Sequence, residues 1–201
     1  YRWTAPGDGA VSARVFGADF DLRGFVYSGT DVSALTSAPQ PDYPGRYYDV
    51  EAGSEYYIAA VADPYLVGRY SFTLALTFVS PANDDFADAE QLGGESGTIE
   101  GTLIGASRET DEVAGGGLKT AWYSWTCPAS GAWSFTTDGS AHFGIDTTLE
   151  VFEGTTVANL ALVAYNDDWI PPPNYPSQRI SVLRLDAEVG KTYHFRVSHY
   201  D

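Results

Sequence analysis

The sequence predicts an all-β chain built from two tandem antiparallel β-sandwiches of jelly-roll type. Three observations predict it. Aromatic residues are abundant, with 14 Tyr, 10 Phe and 5 Trp, and 21 Gly and 11 Pro punctuate the chain. Aromatic and β-branched side chains suit a pleated, half-buried surface, and frequent Gly and Pro mark many short connections. Apolar residues recur with period two. The chain also repeats itself in order.

The strands follow from the alternation. Phe72, Leu74, Leu76 and Phe78 alternate with Ser71, Thr73, Ala75 and Thr77. Ile180, Val182 and Leu185 flank Arg184, and Tyr193, Phe195 and Val197 alternate with His194, Arg196 and Ser198. Ala132–Thr137 and Thr148–Phe152 read the same way. Period two predicts one buried face and one wet face, which places His194 on solvent. Gly7-Asp8-Gly9, Ser28-Gly29-Thr30 and Asp138-Gly139 are turn signals between the runs. The one helix candidate is short, Asp84–Leu92. Short strands at regular spacing point to a sandwich or jelly roll.

The repeat aligns Tyr1–Gly9 with Tyr123–Gly131, a displacement of 122 from Tyr1 to Tyr123. Phe20-Asp21 and Val26–Thr30 align with Ile145-Asp146 and Val151–Thr155, and Glu51–Tyr56 aligns with Glu188–Tyr193. The second copy carries an insertion between Ala164 and Arg179. Residues 83–122 have no counterpart in the first copy, and Gly68–Val79 have none in the second. The expectation is therefore a window on a longer array: residues 1–80 are a sandwich without its N-terminal portion, and 81–201 a second one without its C-terminal strand. Pro81-Ala82-Asn83-Asp84-Asp85 is the joint, short and polar as a stiff connector should be.

Charge and cysteine content narrow the function classes. Eleven Lys and Arg stand against 27 Asp and Glu, a formal charge of −16, which opposes a phosphate backbone and argues against nucleic acid as a partner. No apolar run approaches the roughly 18 residues that a membrane span requires. The lone Cys127 excludes an intrachain disulfide and reads as a buried thiol. The histidines are His142, His194 and His199, with no Gly-x-Ser-x-Gly, HExxH or Cys/His cluster. Neither a hydrolase triad nor a zinc site is expected, and the chain reads as non-enzymatic.

Two groups of residues carry the candidate chemistry. Glu109, Glu112, Asp146, Asn166, Asp167 and Asp168 offer the hard oxygen ligands that calcium takes, six to eight at a time. The same Asn and Asp residues also suit turns, where they bond their own backbone. Asn83, Asp84 and Asp85 form a second acidic group at the joint. The insertion Trp169-Ile170-Pro171-Pro172-Pro173-Asn174-Tyr175-Pro176 favours extended polyproline geometry. Trp169, Ile170 and Tyr175 would form a contact loop for a neighbouring subunit or a glycan, or fold back on their own sandwich. Trp3, Trp122 and Trp125 sit in the strand motif and read as core, but Trp122 and Trp125 are three apart and cannot share one strand face.

Several of these motifs together resemble one family. Asn83-Asp84-Asp85-Phe86 with Ala87 and Ala89 resembles the opening of bacterial pre-peptidase C-terminal domains, as do Gly101-Thr102 with Gly105–Glu112 and the strand Ala121–Thr126. Asp146-Thr147, Val151–Gly154, Asn166–Asp168 and Gly190–Tyr193 continue the pattern in order. The resemblance spans 83–201, and covers 1–79 through Tyr1–Pro6, Asp21, Tyr27–Gly29 and Gly53–Tyr57. It implies tandem jelly-roll-like β-sandwiches of a kind appended to secreted bacterial proteases and repeated in long surface proteins. It further implies a non-catalytic role, with calcium bound in some relatives and collagen or polysaccharide in related modules. The first copy has no Asn-Asp-Asp where the second has 166–168, so the resemblance supplies no metal loop there.

The expected function is an extracellular or cell-surface structural module of a fibre, stalk or adhesin, with neighbouring copies of itself as partners. The competing expectation is a polysaccharide- or matrix-protein-binding accessory module of a secreted hydrolase.

Overall fold

The computed structural model describes residues 1–16, 22–39, 47–62, 71–137, 146–168 and 179–200. Every regular element among them beyond three-residue 3₁₀ turns is a strand, and the chain divides into two units, Tyr1–Ser80 and Pro81–Asp201. No helix among the described residues is long and apolar enough to cross a membrane.

Unit 1 contains β1 (Arg2–Thr4), β2 (Gly9–Phe16), β3 (Leu22–Ser28), β4 (Thr36–Ser37), β5 (Tyr48–Val50), β6 (Glu55–Ala62) and β7 (Thr73–Val79). One sheet runs β1-β6-β3-β4 and the other β5-β2-β7, with antiparallel pairing throughout. Alternate residues of each sheet form one core: Val11 and Ala13, Val26, Tyr48 and Val50, Tyr56 and Ile58, with Trp3, Leu74 and Phe78 packed on it. The sheets approach closely at Gly24, where a Cβ atom would lie 2.3 Å from the Ala13 carbonyl oxygen.

Unit 2 contains β8 (Glu90–Leu92), β9 (Thr120–Thr126), β10 (Gly131–Thr136), β11 (Thr147–Glu153), β12 (Ala161–Asn166), β13 (Val182–Ala187) and β14 (Thr192–His199). Its larger sheet runs β12-β11-β14-β9-β8, with only β8 to β9 parallel, and its smaller sheet pairs β10 with β13. Tyr123, Trp125, Leu149, Val151, Leu183, Leu185, Tyr193 and Phe195 fill the space between them. The inward residues of β13 are Leu183, Leu185 and Ala187; Val182 is only half-buried, so the phase read from Ile180, Val182 and Leu185 slips by one. The buried Cys127 thiol donates to the Ala129 carbonyl at 3.0 Å.

The strand orders correspond. β1-β6-β3-β4 in unit 1 occupies the places of β9-β14-β11-β12 in unit 2, and β5-β2 those of β13-β10. Single hydrogen bonds recur as well. Glu51 N–H donates to the Tyr56 hydroxyl at 2.9 Å, and Glu188 N–H to the Tyr193 hydroxyl at 3.1 Å. Ala52 N–H donates to Asp8 Oδ1 at 2.7 Å, and Val189 N–H to Ser130 Oγ at 2.8 Å. Gly53 and Gly190 take φ of 72° and 79° at the same turn, where a side chain would be strained, and donate to the Ala5 and Cys127 carbonyls.

Two further expectations fail in unit 2. The helix candidate Asp84–Leu92 is a 3₁₀ turn, Phe86–Asp88, followed by strand β8. Phe86 is held by its ring, 5.2 Å from Trp122 and 4.6 Å from His194, and Glu90–Leu92 gains more by pairing with β9 than a short isolated helix could. The larger sheet also has no wet face at its centre. Trp122, Phe152 and Leu160 are buried on the side away from the main core, with Phe86, Ala89 and Val113 packed against them. Trp122 and Trp125 are therefore both buried, on opposite faces. His194 is half-buried under Phe86 rather than on solvent.

Candidate metal centre

The six candidate ligands separate into two groups. Asp146 immediately precedes β11, and Asp167 and Asp168 immediately follow β12, which pairs antiparallel with β11. Antiparallel pairing brings these strand ends together, and one carboxylate oxygen from each of Asp146, Asp167 and Asp168 lies within 4.8 Å of the others. The loop is fixed from beneath. Ser181 Oγ donates to the Thr147 and Asp167 carbonyls at 2.6 and 2.8 Å, and Tyr200 N–H to the Asp146 carbonyl at 2.9 Å.

Asn166 supports this loop. Its Oδ1 accepts from Val182 N–H at 2.7 Å and its Nδ2 donates to the Asp168 carbonyl at 3.4 Å. Asp146 Oδ1 and Asp167 Oδ1 are buried atoms without a hydrogen-bond partner among the described residues. Burial, then the charges of Asp168 and Asp146, hold the Asp167 carboxyl above its ordinary 3.8. Arg179, largely exposed, approaches Asp146 Oδ2 at 3.7 Å and offsets part of this charge. Three carboxylates with two unpartnered oxygens fit a hard divalent cation, which takes oxygen ligands and completes its shell with carbonyls and water.

Glu109 and Glu112 are elsewhere. Glu109 accepts from Phe86 N–H at 3.0 Å. Glu112 Oε1 accepts from Thr120 Oγ1 at 2.8 Å, Trp122 Nε1 at 3.1 Å and Glu109 N–H at 3.2 Å. Glu112 Oε2 accepts from Arg196 Nη1 at 2.9 Å, and neither side chain is exposed. Arg196 Nε donates to Glu150 Oε2 at 2.6 Å, and its Nη atoms donate to the Val113 and Gly115 carbonyls at 2.9 Å each. The guanidinium also lies 5.7 Å from the Trp122 ring and 5.2 Å from that of Phe152, within cation–π range. With both its oxygens accepting in this way, Glu112 is an anchor for residues 109–115.

Sequence reasoning missed Glu150 and Arg196 as interior charges. Their signal is present: a strand face alternating Thr148, Glu150 and Phe152 opposite His194, Arg196 and Ser198, beside some forty residues with no counterpart in the first copy. At the joint, Asn83 exchanges hydrogen bonds with the Trp122 backbone, donating from Nδ2 to its carbonyl at 2.9 Å and accepting its N–H at the Asn83 carbonyl at 2.8 Å. Asp84 accepts both the N–H and the hydroxyl of Ser107, while burial pushes its carboxyl up. Trp169, Ile170 and Tyr175 of the contact loop lie outside the described residues, as do Asp21 and His142. No protein-family model and no curated protein matches the chain.

Proposed function

We propose that this chain is a non-catalytic, extracellular structural module: two consecutive jelly-roll-like units of an array that assembles through neighbouring copies. The observation that carries the reading is the recurrence of the same strand order, turn glycines and side-chain-to-backbone hydrogen bonds in both units. Such agreement across a displaced sequence supports duplication of one building block, and duplicated blocks in series are how extended proteins gain length. The interior charges support a structural role. Glu112, Glu150 and Arg196 are engaged by one another, by the Thr120 and Trp122 side chains and by the backbone, out of reach of a substrate.

Calcium belongs to the same proposal. Asp146, Asp167 and Asp168 would hold it, relieving the crowding of three carboxylates and locking the ends of β11 and β12 together. The test is electron microscopy of native material with and without a calcium chelator. Regular filaments that lose order on chelation are expected. Dispersed monomers under both conditions would sink the reading and favour a binding module.

A further inference from the structure

We infer that Phe86 and His194 form an acid-sensitive latch: protonation of His194 unseats the Phe86 ring and opens the 3₁₀ turn Phe86–Asp88 while the sheet beneath it stays folded. The latch lies within unit 2 and is independent of the array reading.

The turn is held from both sides and by one ring. Before it, Asn83 is bonded to the Trp122 backbone, Asp84 accepts from Ser107, and Phe86 N–H donates to Glu109 Oε2 at 3.0 Å. After it, Glu90–Leu92 pairs with β9. The turn itself is closed by two backbone bonds, Asp88 N–H to the Asp85 carbonyl at 3.0 Å and Ala89 N–H to the Phe86 carbonyl at 3.3 Å. Asp85, Ala87 and Asp88 are exposed, so Phe86 and Ala89 carry its apolar contact. The Phe86 ring rests edge-on to Trp122 at 5.2 Å and on His194 at 4.6 Å.

His194 is an unusual seat for that ring, because its charge can change near neutral pH. It lies opposite Phe152 of β11 and Ser124 of β9. Its ring bonds the Gly154 backbone, and Nδ1 is buried with no hydrogen-bond partner among the described residues. Nε2 therefore carries the proton given to the Gly154 carbonyl, and Nδ1 of the neutral ring keeps a bare lone pair. An imidazolium donates from both nitrogens. A charged N–H at Nδ1 would be buried against a phenyl ring that offers no acceptor. The attraction of a cation to a ring face is small beside the cost of burying an ion without hydrogen bonds, so the charged ring needs water where Phe86 sits.

The charged groups around the ring are already matched. Arg196, two residues along β14, is bonded to Glu150 of β11 and to Glu112. Glu109 accepts from Phe86 N–H, and Glu153, beside Gly154, pairs with Lys191 at 2.6 Å. Asp85 and Asp88 of the turn are exposed, Asp84 is bonded to Ser107, and β9 presents Trp122 and Ser124. Burial is the larger cause holding His194 below its ordinary 6.5, against the Gly154 bond, which raises it. With the turn open the ring is hydrated and returns toward 6.5. The closed turn is thus fully favoured above that value and is lost as pH falls through the lower closed-state value. In between, the ratio of closed to open turns falls by about tenfold per pH unit, the limit for one proton.

The test is amide hydrogen exchange of the full chain between pH 7.5 and 5, corrected for the intrinsic pH dependence of exchange, beside an NMR titration of the His194 ring. The Asp88 and Ala89 amides should lose protection by about tenfold per pH unit across that titration, with the amides of β11 and β14 still protected. In His194→Gln the turn amides should show no such loss. By reciprocity Phe86→Ala should raise the His194 midpoint toward its ordinary value. The comparison of wild type with His194→Gln decides the matter even where Phe86→Ala fails to fold. Turn protection that is constant through the His194 titration would overturn the latch. An equal loss in His194→Gln would overturn it and move the acid response to Asp84 or Glu109. Simultaneous loss in β14 would overturn it in favour of global unfolding, and an unmoved midpoint in folded Phe86→Ala would overturn the role of the ring.

Discussion

Replacing Arg196 by Met tests whether the interior ion network holds residues 109–115 against the larger sheet. Met keeps the aliphatic stem and removes the guanidinium. Glu150 then loses its 2.6 Å donor, while Glu112 loses one partner and keeps Thr120 Oγ1, Trp122 Nε1 and the Glu109 N–H. The Gly115 carbonyl loses its donor, and the Val113 carbonyl retains Arg108. Removing one partner of a buried pair costs about 3–5 kcal/mol, because the other charge stays desolvated. Unit 2 lies between the size classes for which 1 kcal/mol moves Tm by about 2–4 and 4–8 °C, so a fall of roughly 10–20 °C is expected. Urea unfolding followed by tryptophan fluorescence measures it. Trp3 is the only tryptophan of unit 1, so a Trp3→Phe background leaves the signal to unit 2. Arg196→Met/Glu150→Met should recover most of the loss, since an apolar replacement of a buried pair is often neutral or stabilising. A loss below about 1 kcal/mol in the single variant would refute the reasoning, because it falls in the range of exposed pairs.

Three further predictions are independent of that network. Burial holds the His194 ring below its ordinary 6.5, so the fold favours the neutral form while the unfolded chain takes up the proton. Its stabilisation is complete above pH 6.5 and is lost as pH falls through the lower folded value; denaturant titrations between pH 7.5 and 5 should show unit 2 weakening, and His194→Gln should flatten that slope. Gly24→Ala should destabilise unit 1 by about 1–3 kcal/mol and leave unit 2 unmoved in calorimetry, because its methyl would strike the Ala13 backbone. Millimolar calcium should raise the melting temperature of unit 2, by an amount set by mass action. Asp167→Asn should abolish that response while matching or exceeding the calcium-free stability of wild type, since it removes a carboxylate crowded by Asp168 and Asp146; an unchanged response would remove Asp167 from the site.

The all-β class was legible because period two is a strong local signal wherever one face of a strand meets a core: Tyr193, Phe195 and Leu185 are buried as their alternation requires. The weaker readings fail for local reasons. In β13 the apolar Ile180 and Val182 lie near its start, where Ser181 turns inward to bond Thr147 and Asp167, so the core phase begins only at Leu183. For the candidate site, Asp146, Asp167 and Asp168 could be grouped because antiparallel pairing of β11 and β12 returns the chain to the same end of the sheet. Glu109 and Glu112 could not be separated from them by composition, because a carboxylate that accepts from Arg196 and one that stands beside two other carboxylates offer the same oxygen chemistry.

The hidden face of unit 2 shows why polarity alone misreads burial. At positions equivalent to Glu150, Phe152, His194 and Ser198, unit 1 carries Phe25, Tyr27, Tyr57 and Val61, the first three half-buried and Val61 exposed. The face under the covering segment is thus more polar than the equivalent positions of unit 1. The reason is the covering chain itself. From residue 97 to residue 119 it has no strand and no helix, so beyond isolated turns such as Ala106 N–H to the Leu103 carbonyl it satisfies few of its own N–H and C=O groups, and each one buried must find a partner elsewhere or stay desolvated at a cost. Arg196 supplies donors to the carbonyls of Val113 and Gly115, and Ser198 accepts the Gly117 N–H. An apolar sheet face could not do this. The alternation His194, Arg196, Ser198 that resembles a solvent surface is a surface complementary to irregular backbone, and Trp122 and Phe152 beside it supply the apolar contact that keeps water out.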